Sequence, residues 1–245
     1  MAAICQTSLT KIYTYPELQL TTTQAQKAQK QFQALQTGKP LAQILGNQEF
    51  FGLKFFLNRQ VFIPRPETEM LVSKILALKP RNLLEIGTGS GCLALAVKKN
   101  LPHCQILATD LSARALQVAR KNAKRLKLQI RFQQADLLSQ IPARKFVVIA
   151  ANLPYVAECS PALAAKVQKF EPPQALFGGQ DGLAVIKRLI RQISKRPHFY
   201  PKIFLEIGFD QKAELQHFLQ KTCPTTKTTF HQDLAGIDRV CELAF

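Results

Sequence analysis

The sequence has few acidic residues, and its cysteines lack the spacing of a metal site. Lys and Arg number 33 against 16 Asp and Glu, which gives a formal net charge of +17. This imbalance indicates attraction to polyanions such as RNA or ribosomes and carries no information about the fold. The six cysteines form no CxxC pair, and no histidine lies at metal-ligand spacing from one of them. The sequence therefore predicts no metal and no disulfide framework, but reduced and mostly buried thiols.

Long apolar segments are also absent. No uninterrupted apolar run approaches ~18 residues, the length that a membrane-spanning helix needs. The N-terminal stretch MAAICQTSLTK has no basic segment followed by an apolar one, so it does not resemble an export signal. We therefore expect a cytoplasmic protein with no membrane partner. The apolar share of 47% is typical of a globular protein, and the 245 residues predict one large domain with a small additional region.

The first 45 residues are rich in Gln, Thr and Lys. Gln24–Gln36 follows a helical pattern with a narrow apolar stripe that includes Phe32 and Leu35. Gly38-Lys39-Pro40 ends this helix, and a second short helix is expected at 40–45.

A β-hairpin is predicted after this helical region. Its two strands are Glu49–Leu57 and Gln60–Ile63, with the turn at Asn58-Arg59. The sequence thus divides into a short helical N-terminal region, a β-hairpin linker and a main domain, at 1–45, 46–65 and 66–245.

From residue 66 onward, apolar strand-like segments alternate with helical ones. The predicted strands are Asn82–Gly87, Gln105–Asp110, Gln129–Gln134, Lys145–Ala151, Lys202–Gly208, 225–232 and 238–244. The predicted helices are Glu67–Leu78, 91–100, Ser112–Leu126, 181–195 and 211–221. This alternation predicts an α/β fold with a doubly wound, mostly parallel sheet. Such a sheet binds ligands beyond the carboxyl ends of its strands.

A glycine-rich loop, Gly87-Thr88-Gly89-Ser90-Gly91, joins the first of these strands to a helix. Its glycines permit a tight turn and close approach of a ligand, and the helix offers free N–H groups. By itself this pattern also fits the nucleotide-binding loop of a dinucleotide enzyme. Asp110 adds a second feature, because it ends the next strand, where a carboxylate can accept hydrogen bonds from two ribose hydroxyls.

Two further acids extend the pattern. Asp136 follows the third strand, at the level where it could meet an adenine amino group, and Glu85 precedes the glycine loop, where it could face a cationic amino group. For each acid, a helix cap or a solvated loop charge stays open as an alternative. Together with the lack of a phosphate-binding Lys after the loop, these acids favour S-adenosylmethionine over a dinucleotide, which the residues alone do not exclude.

The fourth strand ends in Asn152-Leu153-Pro154-Tyr155, a variant of the Asn-Pro-Pro-Tyr tetrapeptide of methyltransferases that modify planar nitrogen. Such a nitrogen is a poor nucleophile because its lone pair is delocalised. We predict that the Asn152 side-chain oxygen and the Leu153 carbonyl accept its two hydrogens, while Tyr155 packs on the planar target. Pro154 keeps Leu153 extended. A plain turn after a buried strand is the alternative.

With these motifs in order, residues 40–245 resemble the protein-(glutamine-N5) methyltransferases that modify peptide chain release factors. Further segments carry the resemblance: Phe62-Ile63-Pro64-Arg65-Pro66-Glu67-Thr68-Glu69, the stretch FEPPQALFGG at 170–179, Glu206-Ile207-Gly208 and the stretch DLAGIDRV at 233–240. Gly178-Gly179-Gln180 falls within one of these segments and is interpreted as a glycine-rich turn.

The resemblance implies a seven-stranded methyltransferase sheet and methylation, at N5, of the glutamine in a release factor's Gly-Gly-Gln motif. It implies that S-adenosylmethionine lies against Glu85, Gly87, Thr88, Gly89, Ser90, Gly91, Asp110, Asp136, Leu137 and Asn152. The substrate glutamine is assigned to Asn152, Leu153, Pro154 and Tyr155, with Asn152, Pro154 and Tyr155 as catalytic residues. The sequence departs from the family at Leu153, at Leu137, where relatives often have an aromatic residue, and in its shorter N-terminal region.

Several alternatives stay open. A sister enzyme would methylate a glutamine of a ribosomal protein, although Arg65-Pro66-Glu67-Thr68 favours a release factor. A nucleic-acid methyltransferase would fit the net charge, and a binding module with a decayed site would fit Leu153. Arg65, Glu67 and Glu69 form either a functional cluster or a helix start. The basic helix 112–127 is expected to be a solvated face, with contact to a ribosome or RNA as the alternative.

Overall fold

The computed structural model describes residues 2–5, 7, 9–15, 17–141, 146–158, 169–196 and 201–245. Among the described residues, no helix has the length and apolar character that crossing a membrane requires. The chain begins with four helices: α1 (Ala2–Cys5), α2 (Leu9–Thr14), α3 (Thr22–Gln36) and α4 (Leu41–Leu45).

Helix α3 confirms the predicted helix but not the burial that its apolar stripe suggests. It starts with a capping box, in which the Thr21 and Gln24 side chains each accept a hydrogen bond from the other's backbone N–H. No residue of α3 is buried, and Phe32 and Leu35 are 61% and 41% exposed. The stripe therefore faces solvent in the described structure.

The β-hairpin is present, but the predicted turn at Asn58-Arg59 is wrong. Strands β1 (Asn47–Phe50) and β2 (Leu53–Phe56) pair around Phe51 and Gly52, whose φ angles are 49° and 70°. A two-residue hairpin turn of type I′ has this left-handed backbone at both central positions. Because Phe favours strands, the sequence pattern predicted a continuous strand through Phe51 and not a turn. The predicted second strand, at 60–63, is irregular chain.

The main domain confirms the predicted α/β fold. Its strands are β3 (Asn82–Ile86), β4 (Gln105–Asp110), β5 (Arg131–Gln134), β6 (Val148–Ala151), β7 (Lys202–Glu206), β8 (Lys227–Gln232) and β9 (Asp238–Ala244). Its helices are α5 (Glu69–Leu78), α6 (Cys92–Asn100), α7 (Ala113–Leu126), α8 (Ala184–Ser194) and α9 (Lys212–Thr222), with a 3-10 turn at Pro66–Thr68 before α5. The predicted strand start at Lys145 lies outside the described residues.

The seven strands form one sheet in the order β5-β4-β3-β6-β7-β9-β8. β9 is antiparallel to its two neighbours, and the other strand pairs are parallel. Side chains of each strand alternate between two cores: Leu83 packs with α5 and α6, whereas Leu84 packs with α8 and α9. Helices thus cover both faces, as a mostly parallel sheet requires.

From β3, the chain first adds β4 and β5 on one side of the sheet and then continues with β6 on the other side, so β3 lies between β4 and β6. Ile86 at the end of β3 pairs with Thr109 of β4 and with Ala151 of β6. The residues that follow these three strands therefore emerge at one level, at the edge where an open α/β sheet binds its ligand.

Candidate active site

A cavity lies at this edge, and the sheet register explains its composition. Gly87, Asp110 and Asn152 each occupy the position just after or at the end of one of three adjacent strands, and all three line the cavity. Of the predicted site residues, Gly91 alone is outside the lining.

The glycine loop is held by the backbone of β4. The N–H groups of Gly87 and Thr88 both donate to the Thr109 carbonyl, at 2.9 and 2.8 Å. Gly87 has φ +75°, a backbone angle that favours glycine, and a Cβ there would lie 3.0 Å from Leu153 Cδ2 and press on that side chain. Gly91, with φ +81°, begins α6 against Ala119 and has a structural position behind the cavity.

Asp110 is fixed by two backbone donors. Its Oδ2 accepts from Gly89 N and its Oδ1 from Ser112 N, both at 2.8 Å. Burial raises the pKa of Asp110, and the two N–H groups partly offset this rise because they stabilise the ionised form. The carboxylate therefore lies in the cavity wall with a set orientation, as a hydroxyl acceptor should.

Glu85 is almost fully buried under the glycine loop. Its Oε2 accepts from Thr88 Oγ1 at 2.6 Å and from Ala94 N, in the first turn of α6, at 3.2 Å. Burial raises the pKa of Glu85 to about 8, with a small contribution from Asp110. A cation brought to this carboxylate would favour its ionised form, so the environment suits a positively charged ligand group.

The loop after β5 is held by α8. Asp136 forms an ion pair with Arg188, and both side chains line the cavity. Leu138 N donates to Gln192 Oε1 at 2.9 Å, and between them Leu137 is buried with φ +53°. Arg188 was not predicted from the sequence, because its partner is 52 residues away.

The tetrapeptide after β6 presents one oriented amide. Asn152 Nδ2 donates to Thr68 Oγ1 at 3.0 Å, which leaves Asn152 Oδ1 as the group that can accept from a ligand. Leu153 is buried against Gly87. The Tyr155 hydroxyl donates to Glu206 Oε1 at 3.2 Å, and burial together with the Glu206 charge raises the pKa of Tyr155, so its phenol is neutral.

A second loop supports the tetrapeptide from behind. Val156 N donates to Leu176 O at 2.9 Å, and Gly178 N donates to Val156 O at 3.0 Å. A Cβ on Gly178 would lie 2.5 Å from Pro154 O, so only glycine permits this approach. Gln211 Nε2 donates to Tyr155 O at 2.8 Å. The glycine-rich turn predicted at 178–180 thus packs on the tetrapeptide backbone.

Glu171 connects the two segments that flank the cavity. It is buried, accepts from Ile63 N at 2.8 Å and pairs with Arg65 Nη2 at 2.6 Å. Of the predicted cluster, Glu67 is exposed and Glu69 accepts from Phe51 N in the hairpin turn at 2.7 Å. Arg65 and Glu69 therefore join segments, and they do not form one cluster with Glu67.

Other residues of the site were not assigned a role from the sequence. Thr68, Gln211 and Glu206 each contact the tetrapeptide or its side chains. Glu206 could have been found, because it is an acid at the carboxyl end of an apolar strand, the same signal that selected Asp110. No group of three or more His, Cys, Asp and Glu that could hold a metal occurs in the described part of the chain.

Comparison with known proteins shows the family of this chain. The methyltransferase small domain model matches residues 65–171. The chain is 40% identical, over 94% of its length and 83% of the relative's, to a release factor glutamine methyltransferase of Koribacter versatilis. It belongs to the release factor glutamine methyltransferase family. A relative of the same name from Enterococcus faecalis is 37% identical over 84% of this chain and 76% of that one.

Solved structures support the fold. The N-terminal domain of human METTL16 in complex with SAH is similar with a TM-score of 0.60 at 18% identity, over 87% of this chain and 84% of that chain. A methyltransferase from Pyrococcus furiosus has a TM-score of 0.58 at 17% identity, over 88% and 98%. At these identities the similarity concerns the methyltransferase fold alone.

Proposed function

We propose that the protein transfers a methyl group from S-adenosylmethionine to the side-chain amide nitrogen of the glutamine in the Gly-Gly-Gln motif of a release factor. The orientation of Asn152 carries this proposal. Its Nδ2 is engaged by Thr68, so its Oδ1 is available beside the glycine loop in the same cavity. The relatives named release factor glutamine methyltransferase support the choice of substrate.

The residues of the cavity fit S-adenosylmethionine. Asp110 offers an oriented carboxylate for ribose hydroxyls, and Glu85 offers a buried carboxylate suited to an amino group. Thr88, Gly89, Ser90 and Leu137 line the same space. When bound, this cofactor supplies an electrophilic methyl group on a sulfonium.

The chain's own residues bind and orient the nucleophile. Asn152 Oδ1 and the Leu153 carbonyl accept the two amide hydrogens, so that the nitrogen lone pair turns towards the methyl group. Neutral Tyr155 packs on the planar amide, and Pro154 restricts the backbone before it. Placing the nitrogen in line with the methyl group supplies the rate enhancement, since proximity and orientation contribute about 7–11 kcal/mol in favourable cases.

The N-terminal region at 1–45 is proposed to dock the protein substrate, with 46–65 as linker and 66–245 as the catalytic domain. The exposed Phe32 and Leu35 on α3 provide apolar surface for such a contact. We also propose a cytoplasmic location, because translation termination takes place in the cytoplasm.

Replacing Asn152 tests the proposal. In Asn152→Ala, transfer of labelled methyl to a purified release factor should fall on the order of 100-fold, because the amide loses one of its two acceptors. Cofactor affinity by calorimetry should stay close to that of the wild type. Glu49→Gln, an exposed change on the hairpin, serves as the control. Unchanged turnover in Asn152→Ala would refute the amide-binding role.

The basic face of α7 is proposed to contact RNA or the ribosome. Its cations are all exposed: Arg114, Arg120, Lys121, Lys124, Arg125 and Lys127. No acid occurs between Asp110 and Asp136. Replacing Arg114, Lys124 and Arg125 by Ala should reduce the salt slope of binding to a ribosomal RNA fragment by roughly two to three. An unchanged slope would leave this surface with a purely solvating role.

A further inference from the structure

A buried acid lies behind the tetrapeptide without contributing to the cavity lining. Glu206, at the end of β7, is 1% exposed. Its Oε1 accepts from the Tyr155 hydroxyl at 3.2 Å, and its Oε2 has no hydrogen-bonding partner among the described residues. The nearby Thr68 side chain lowers the pKa of Glu206, against a larger rise from burial. A buried carboxylate with so few donors is costly, which calls for a functional explanation.

Thr68 connects this carboxylate to Asn152. The Thr68 hydroxyl has one proton to donate and accepts from Asn152 Nδ2 at 3.0 Å. An ionised carboxylate can only accept. The Thr68 lone pair accepts from the Asn152 NH2 group, which leaves the Thr68 proton for the unpartnered Oε2 of Glu206. Asn152 Oδ1 then remains for the cavity.

We propose that Glu206 is a positioning residue that fixes, through Thr68, which end of the Asn152 amide faces the cavity, and that also holds Tyr155. This inference rests on the proposed function, since it concerns how the amide acceptor for the substrate glutamine is set. The residue itself does not touch the substrate.

The charge of Glu206 determines whether Thr68 donates its proton to Glu206 or to Asn152. A protonated Glu206 could donate to Thr68, which would then donate to Asn152 and turn the amide so that NH2 faces the cavity. Burial raises the pKa of Glu206 to about 7. The titratable and charged groups around it come from four segments: Glu67, Cys92, Tyr155 and Arg239. Cys92 and Tyr155 stay neutral because burial raises the pKa of each.

Kinetics with matched variants test the proposal. Glu206→Gln and Thr68→Val should each lower kcat roughly tenfold to hundredfold, with cofactor affinity retained. Thr68→Ser, which keeps the hydroxyl, should restore kcat, and Glu206→Gln combined with Thr68→Val should be no worse than either alone. The wild-type kcat should fall below about pH 7 with an inflection that is absent in Glu206→Gln. Glu49→Gln should match the wild type.

A measurement without turnover separates this inference from the proposed function. The side-chain NH2 signal of Asn152, assigned by NMR with Asn152→Asp, should exchange slowly in the wild type and faster in Thr68→Val and Glu206→Gln. Additive losses in the double variant, an inflection that persists in Glu206→Gln, or unchanged exchange would overturn the positioning role. If the wild type fails to methylate a release factor while the exchange pattern holds, the substrate assignment fails and the positioning role stands.

Discussion

At the scale of single residues, the site is built from acids that the fold buries at the carboxyl ends of adjacent strands. Glu85, Asp110 and Glu206 all have raised pKa values, and burial is the largest cause for each. Their hydrogen bonds come from backbone N–H groups and hydroxyls, not from Lys or Arg. The two that line the cavity, Glu85 and Asp110, therefore retain capacity to bind ligand groups, which carboxylates held in surface ion pairs lack.

Asp110 provides the prediction at this scale. Asp110→Ala should weaken the binding of S-adenosylmethionine by roughly tenfold to hundredfold, because the ribose hydroxyls lose a charged acceptor. Isothermal titration calorimetry measures the change, with Glu49→Gln as the charge-matched control. An affinity equal to that of the wild type would exclude Asp110 from the ribose site.

The residues that could be predicted at the site are those whose signal is local. Asp110 and Asn152 each follow an apolar strand, and the sheet then brings them to one cavity. Thr68, Arg188 and Gln211 could not be assigned, because their partners are 84, 52 and 56 residues away. Such pairings depend on how helices and loops pack, which the strand pattern does not determine.

At the scale of elements, the loop at 170–182 acts as a support for the tetrapeptide. Gly178 and Gly182 approach the carbonyls of Pro154 and Tyr155 so closely that an added Cβ would lie 2.5 and 2.2 Å from them. Two backbone hydrogen bonds join the loop to Val156. The spacing of loop and tetrapeptide is thus set by backbone contact.

Gly178→Ala tests this contact. The methyl group would overlap Pro154 O and Gly182 O, so we expect a loss of about 3 kcal/mol in the free energy of unfolding and a loss of methyl transfer. Gly236→Ala is the comparison, because Gly236 has φ +76° but nothing within 4 Å; it should cost about 1 kcal/mol and leave transfer intact. Equal effects of the two changes would argue against the backbone contact.

The hairpin shows where prediction of elements fails. One strand was expected over Glu49–Leu57, but the chain turns back within that segment, where Phe51 adopts φ 49°. Phe51 N donates to Glu69 Oε1 at 2.7 Å, and this contact with the start of α5 supports a backbone angle that Phe alone disfavours. A tertiary contact here overrides local preference.

At the scale of the whole molecule, the sheet follows from the sequence more completely than the site does. The alternation of apolar strands with amphipathic helices leads to a parallel, doubly wound sheet because right-handed crossovers leave few other arrangements. The strand order and the antiparallel β9 are not contained in that alternation. The family resemblance implied a seven-stranded, mostly parallel sheet without its strand order, and the 40% identity to a named relative confirms that resemblance.

The two most perturbed acids predict how stability of the cofactor-free protein depends on pH. The pKa of Glu85 rises from 4.5 to about 8 and that of Glu206 from 4.5 to about 7 on folding. At pH values between the unfolded pKa of 4.5 and the folded pKa of about 7 or 8, the folded state therefore binds more protons than the unfolded state. In that range the free energy of unfolding falls as pH rises. Acids with lowered pKa, such as Asp233, lose their contribution only at lower pH.

We expect the Tm of the cofactor-free protein to decrease from about pH 5 to about pH 8.5, and Glu85→Gln to flatten the decrease. Calorimetry at several pH values, with Glu49→Gln as the control, measures both. A Tm that rises across this interval would contradict the raised pKa values of these two acids.

The most direct test of the central claim is tandem mass spectrometry of a release factor incubated with the purified protein and S-adenosylmethionine. We predict the added mass of one methyl group on the side-chain nitrogen of the glutamine in the Gly-Gly-Gln motif, and transfer on the order of 100-fold slower when Asn152 is replaced by Ala. Methyl found on another residue of the factor, or on RNA alone, would contradict this claim.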